Sequence, residues 1–373
     1  MQLAHAGAAK LWALALALPG LATSLPALAI NPPPEAATLE LRYSRYQDFQ
    51  SQAERMQVSA PSMFVVLPIS EQWSARGYAV TDTMSGASPL FHDTLSGASG
   101  EGVRDFRRAA DLELTRHFER ATVSAGFAVS GEDDYLSRAL RVSASLDSAD
   151  RNTSYSAGFG YNFDRINSTN DVAVGEIKFA QALQFGVTRV LGPQSLLSAS
   201  ASYTRGSGYF NDPYKALDRR PERRSERTFA LRYHRYLAAP DATMRWTYRW
   251  YDDSWEVAAH SLELAWEQSL PRDFTLTPSL RYHAQSAAFF YADPPFGVGF
   301  VRGQPYSGDT RLSAFGAGSL GLKLGMPAVA GWQSEVKFEF YRQRSAWRAF
   351  GSGSPGVELL SARTFEIGIK RAF

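Results

Sequence analysis

Large apolar residues alternate with small or polar ones, with period two, in segment after segment of this chain, the spacing of strands that carry a different environment on each face. In "SYSAGFGYNF", Tyr155, Ala157, Phe159, Tyr161 and Phe163 share one face, and Ser154, Ser156, Gly158, Gly160 and Asn162 share the other. "TMRWTYRWY" sets Met244, Trp246, Tyr248 and Trp250 against Thr243, Arg245, Thr247 and Arg249. "SEVKFEFY" sets Val336, Phe338 and Phe340 against Glu335, Lys337, Glu339 and Tyr341. Alternation alone fits a soluble sandwich as well as a closed barrel.

Three further features point to an antiparallel transmembrane barrel of the outer-membrane type. The apolar faces are rich in Tyr, Trp and Phe near their ends, as interfacial girdles require. The last strand, "TFEIGIKRAF", puts Phe365, Ile367, Ile369 and Phe373 on one face and ends on an aromatic residue. It resembles the closing strand of bacterial outer-membrane proteins, whose final aromatic takes part in recognition by the assembly machinery, although Arg371 stands where an apolar residue is usual. Connections also switch between short and long, as between tight periplasmic turns and longer outer loops. The short ones centre on residues 68–70, 118–120, 148–152, 192–194, 238–241, 271–273 and 327–331. The longer ones cover 47–55, 82–103, 131–135, 165–175, 206–226, 252–256, 287–309 and 343–361. This predicts about 16 strands with both chain ends in the periplasm. Met56 to Thr81 alternates poorly and contains Pro61, which leaves fourteen as the lower count. Pro278, in mid-strand, predicts a local bulge.

Composition agrees with export. "LWALALAL" followed by "LATSLPALA" reads as a signal peptide over residues 1–29, cut after Ala29, with a single barrel domain over 30–373. The 373 residues include no cysteine, so hydrogen-bonded closure rather than disulfides must hold an exported chain of this size. A net charge of +2 and the lack of a basic patch interleaved with aromatics argue against nucleic acid. His92, His117, His234, His260 and His283 have no zinc-type spacing, and neither metal nor cofactor is expected.

"DTMSGASP" (from Asp82), "GYFNDPYK" (from Gly208), "RYHAQSAAFFY" (from Arg281) and "DTRLSAFG" (from Asp309) resemble a family of bacterial outer-membrane barrels, domain of unknown function 3570. The resemblance implies the fold and a Gram-negative outer membrane, with outer-membrane lipid, lipopolysaccharide and the barrel assembly machinery as surroundings. It implies no activity.

Chemistry is therefore sought in the residues. Alternation turns Arg232, Arg245, Arg249 and Arg281 inward on neighbouring strands, and likewise Arg141, Lys178, Arg311 and Lys323. Asp111, Glu113, Glu335 and Glu339 also face inward. One reading is an internal lattice of satisfied charges. The other is a basic ladder opposite an acidic wall, giving a channel a preference for anionic solutes. A non-conducting barrel that binds a partner is the alternative, since "GYFNDPYK" and "AAFFYADPPFGVGF" place aromatics in outer loops, as a binding surface or a lid over the mouth. A lipid-facing phospholipase built on His260 and Ser286 is a third reading, against which strand pairing puts His260 nearer Tyr282.

The pattern Asp-Thr-x-Ser-Gly-Ala-Ser occurs twice, eleven residues apart, from Asp82 and from Asp93. No strand-then-helix context follows it, so neither a nucleophile elbow nor a phosphate cradle is expected. Asp82, Ser85, Gly86, Ser88, Asp93, Ser96, Gly97 and Ser99 instead predict a small-residue loop that either stays mobile at the surface or folds inward and narrows the lumen.

Overall fold

The computed structural model describes residues 33–50, 53–86, 103–168, 170–294, 297 and 299–373. Among them the first strands are β1 (Thr38–Gln50), β2 (Ala53–Ser70), β3 (Trp73–Gly86), β4 (Val103–His117), β5 (Ala121–Gly131) and β6 (Tyr135–Asp147). There follow β7 (Thr153–Ile166), β8 (Glu176–Gly192), β9 (Ser195–Gly208), β10 (Arg223–Leu237) and β11 (Ala242–Asp253). The circle is completed by β12 (Ala258–Leu270), β13 (Phe274–Gln285), β14 (Phe315–Val329), β15 (Trp332–Arg344) and β16 (Leu360–Ala372). Each strand pairs antiparallel with its sequence neighbours, and β1 pairs with β16 from Thr38 opposite Ala372 to Gln50 opposite Leu360. Closure leaves no strand edge with unpaired amides, the condition for a sheet to lie in hydrocarbon. No helix among the described residues is long and apolar enough to cross a membrane, which says nothing of strands.

One end carries tight turns at 71–72, 118–120, 148–152, 193–194, 238–241, Pro271–Asp273 and 330–331, each within or adjoining a predicted short connection. Arg151, Asp241, Arg272 and Ala330 take positive φ there, so side chains rather than glycine alone turn the corners. The other end carries 132–134, 167–175, 209–222, 254–257, 286–314 and 345–359. The β1–β2 connection departs from expectation. It is two residues long, because Gln47–Gln50 and Ala53–Arg55 continue the strands. The poorly alternating stretch forms β2 and β3, which makes sixteen strands rather than fourteen.

The prolines are accommodated without the predicted bulge. Pairing of β12 with β13 lapses only at Trp266–Glu267 opposite Thr277–Pro278 and resumes in the same register, while Pro278 stays paired with Leu322 of β14. The missing N–H therefore faces β12 and costs a ladder bond locally. Opposite Pro61 the β2–β3 ladder lapses and resumes in the same way.

The two faces are inverted relative to a water-soluble protein. Leu112, Leu140, Phe185 and Leu320 point outward at 59–66% exposure, while Glu113, Arg141 and Lys178 on the same strands point inward and are buried. An uncovered apolar band around a charged interior is stable only where an apolar medium surrounds it. The closing strand is finished in the same logic. Arg371 lies over the rings of Trp332 (5.8 Å) and Phe373 (4.9 Å), and the Phe373 amide donates to Ala37 O (2.8 Å). The guanidinium at the unusual position is thus seated on aromatic faces.

Candidate functional site

The lumen wall from β10 to β13 collects the predicted basic residues in successive rows. Nearest the loops, Arg249 stands between Ala230 and Ser261, with His283 beyond. The next row is Arg232, Thr247, Glu263 and Arg281, and the one after it His234, Arg245, Ala265 and Ser279. Arg281 holds Glu263 at 2.8 Å and Arg245 holds Glu267 at 2.7 Å. Arg249 is exposed to the lumen, lies 5.8 Å from the Tyr251 ring, and has no carboxylate within ion-pair distance among the described residues. Ser261 Oγ and His283 Nδ1 lie 2.8 Å apart, next to it.

The four predicted acidic residues sit in two places, each already matched by cations. On β4, Arg141 binds Asp111 (2.6 Å) and Glu113 (2.9 Å), and Arg76 also reaches Glu113 (2.6 Å). On β15, Glu335 lies 2.7 Å from Arg42 and 3.5 Å from Lys323, and Glu339 lies 2.9 Å from Lys337. Around the barrel β4 lies across from the basic wall, whereas β15 is two strands from β13. Half-buried pairs of this kind chiefly satisfy one another. Arg249 adds a positive charge to the wall with no carboxylate at ion-pair distance among the described residues.

Above the wall, three loops fold inward. Phe210 (from 209–222), Trp255 and Val257 (from 254–257) and Ala288, Phe290 and Leu312 (from 286–314) form a buried apolar cluster. Trp255 packs edge-on against Phe210 (5.5 Å) and Phe290 (5.2 Å). The cluster rests on lumen-facing groups: Arg224 lies 4.2 Å from the Trp255 ring, Lys178 Nζ lies 5.7 Å from Phe210, and a Cβ on Gly206 would meet Phe210 at 2.8 Å. Beneath it Lys178 and Asp164 form a fully buried ion pair at 2.9 Å. Buried Arg220 joins two of the loops, with Nε 2.7 Å from Asp218 and Nη2 3.0 Å from Asp309. Burial, the largest influence on it, opposes the Arg220 charge, but the carboxylates outweigh it and the pKa rises. Phe210 of "GYFNDPYK" and Phe290 of "AAFFYADPPFGVGF", with Tyr291 against them, thus pack in a lid over part of the mouth. The sequence marked them as unusual for exposed loops, but their mutual packing is a tertiary fact that no local pattern carries.

The doubled serine and glycine pattern does not form the predicted loop as a whole. Asp82, Ser85 and Gly86 belong to β3, opposite Arg107, Arg104 and Val103, and the Asp82 carboxylate is buried against Arg107 at 2.7 Å. Ser88, Asp93, Ser96, Gly97 and Ser99 lie outside the described residues, as does the signal peptide. Arg311, predicted to face the lumen from a strand, is in the 3-10 turn Thr310–Leu312 and holds Asp309. His260 and Ser286 do not meet. His260 Nδ1 is 2.8 Å from Tyr248 Oη, while Ser286 Oγ donates to Glu256 O and accepts from the Ala258 amide, both at 2.7 Å.

The profile of the family described as protein of unknown function (DUF3570) matches residues 91–181 and 172–357, well over half of the chain. The chain belongs to this family. No curated protein matches this DUF3570 member in sequence. Among solved structures it is similar to a bacterial polysaccharide outer membrane secretin, at 11% identity and a TM-score of 0.53, over 91% of this chain and 98% of that one. It is also similar to OccD3 (OpdP) of Pseudomonas aeruginosa (9% identity, TM-score 0.47, 95% and 97% covered). A third similarity is to a loop-deletion mutant of OmpT from Vibrio cholerae (9% identity, TM-score 0.46, 91% and 100% covered). The likeness to the secretin structure is one of fold: the DUF3570 member has the closed antiparallel barrel of outer-membrane proteins.

Proposed function

We propose that this DUF3570 member is an outer-membrane diffusion or transport channel that favours small anionic solutes, with its tight turns in the periplasm and its loops outside. The observation that carries the reading is Arg249, exposed in the lumen beneath the loop lid without a matching carboxylate among the described residues, in a wall that also holds Arg232, Arg245 and Arg281. A guanidinium facing pore water lowers the barrier for anions and raises it for cations. The inward-packed lid over part of the mouth supports the second reading, a binding barrel that does not conduct.

Planar-bilayer recording of the purified protein separates the two. The channel reading expects unitary conductance with anions preferred, and a fall of about twofold or more in that preference when Arg245→Ala and Arg249→Ala are combined. Unchanged selectivity would remove the basic wall from the account. A silent wild-type protein would leave the non-conducting barrel.

A further inference from the structure

On the outward face, where the loop-side ends of β6, β7 and β8 meet, lies a cleft of about 240 Å³ lined by Leu136, Arg138, Phe163, Arg165, Gly175 and Ile177. Its charges are set by register. Arg138 stands beside Phe163, and Arg165 between Leu136 and Ile177, so two guanidinium groups rise from an apolar surface on adjacent strands. Both are exposed. Phe163, the aromatic of the lining, packs beside the cleft on Phe179 at 5.2 Å, and Phe179 on Tyr161 at 6.3 Å.

Several other outward arginines are occupied, whereas Arg189 (opposite Thr153 and Leu197) and Arg205 (opposite Gln181 and Ser225) are exposed but have no second arginine beside them. Arg108, Arg342 and Arg363 lie on Phe106, Phe340 and Phe49, and Arg227 faces Asp252. At the turn end Arg116 and Arg371 are covered by aromatic rings. Among the described residues neither Arg138 nor Arg165 has an ion pair, a ring contact or a side-chain hydrogen bond. Two uncompensated cations on a hydrocarbon-facing surface are costly unless an anion meets them there. The anions available at that depth are lipid phosphates, which guanidinium grips through paired N–H donors.

We propose that this cleft binds the phosphorylated headgroup of an outer-leaflet glycolipid, with phosphate between Arg138 and Arg165 and the first acyl carbons on Phe163 and Ile177. The outer leaflet is chosen because the cleft opens at the loop end of the barrel, between the starts of β6 and β8 and the end of β7. The inference rests on the membrane placement of the barrel and is independent of whether the lumen conducts.

The test is native mass spectrometry of the folded, detergent-purified full chain titrated with bisphosphorylated lipid A, dephosphorylated lipid A and phosphatidylglycerol. Wild-type protein should retain the bisphosphorylated lipid in preference to both others. Arg138→Gln with Arg165→Gln should weaken retention about tenfold, the scale of losing paired charge-assisted contacts. Arg138→Lys with Arg165→Lys, which keeps the charge and the fold but not the fork of donors, should give an intermediate loss. Equal retention of all three lipids by wild type, or retention unchanged in both double variants, overturns the site. Preference for phosphatidylglycerol overturns the assignment to the outer leaflet. None of these outcomes depends on conductance, so a failure here and a failure of the channel reading are distinguishable.

Discussion

Asp212 shows how burial in a loop turns into pH dependence. It lies in the 209–222 loop, buried, with Lys215 at 3.8 Å, and its carboxyl is pushed up to about 6, chiefly by burial, against the pull of the Lys215 ammonium. An unfolded aspartate titrates near 3.9, so between about 4 and 6 the folded loop holds more protons than the open one. Its contribution to stability is therefore greatest below that window and declines as the pH rises through it. Protection factors from hydrogen exchange in 209–222 should fall between pH 4 and pH 7, after correction for intrinsic rates. The same profile in Asp212→Asn should be flat, and a slope retained in that variant would place the titration elsewhere.

At the scale of the strand, alternation was enough to locate the turns at 118–120, 148–152, 238–241 and Pro271–Asp273, because the contrast between outward Leu or Phe and inward Ser or Arg is large there. It fails where the contrast fades. Arg45 and Gln47 face outward near the loop end of β1, so the strand reads as a loop. In β3, Asp82 faces inward and is buried with Arg107, and the Asp, Ser and Thr that suit a lumen wall are also those that suit a turn. Proline 278 was legible as an irregularity but its consequence was not, since only pairing shows that its missing donor faces β12. Direction therefore decides tolerance. Pro278→Ala should change barrel stability by less than about 1 kcal/mol, whereas Ser279→Pro, which deletes the N–H facing β14 in an unbroken ladder, should cost about 3 kcal/mol or more. Heat-modifiable gel mobility after refolding would show it: wild-type-like for the first, mostly unfolded for the second. Equal behaviour of the two would refute the orientation of the gap.

Taken whole, the barrel has two enclosures, an apolar band that needs a membrane and a lumen whose outer mouth is partly covered by the loops after β9, β11 and β13. Alternation assigns Arg232, Arg245, Arg249 and Arg281 to one face residue by residue, and the strand register sets them in adjoining rows. Which of them keeps an unmatched charge was not legible in the sequence, because Glu263 and Glu267 find their arginines only through the register. The lid depends on Arg220, which holds Asp218 of its own loop and Asp309 of 286–314, all three buried. Removing Arg220 leaves buried Asp218 without its cation and Asp309 with Arg311 alone, a loss of about 3–5 kcal/mol. Asp218, Ser307 and Arg311, which hold this cluster, belong to the two loops, so the cost falls on their docking. Arg220→Ala should therefore leave the heat-modifiable mobility of the barrel unchanged and speed proteolytic cutting within 209–222 and 286–314. If the lid limits flow, the same variant should raise unitary conductance, or create one where the wild type is silent. Faster cutting with unchanged conductance would mean that solute passes beside the lid, along the wall that Arg249 marks.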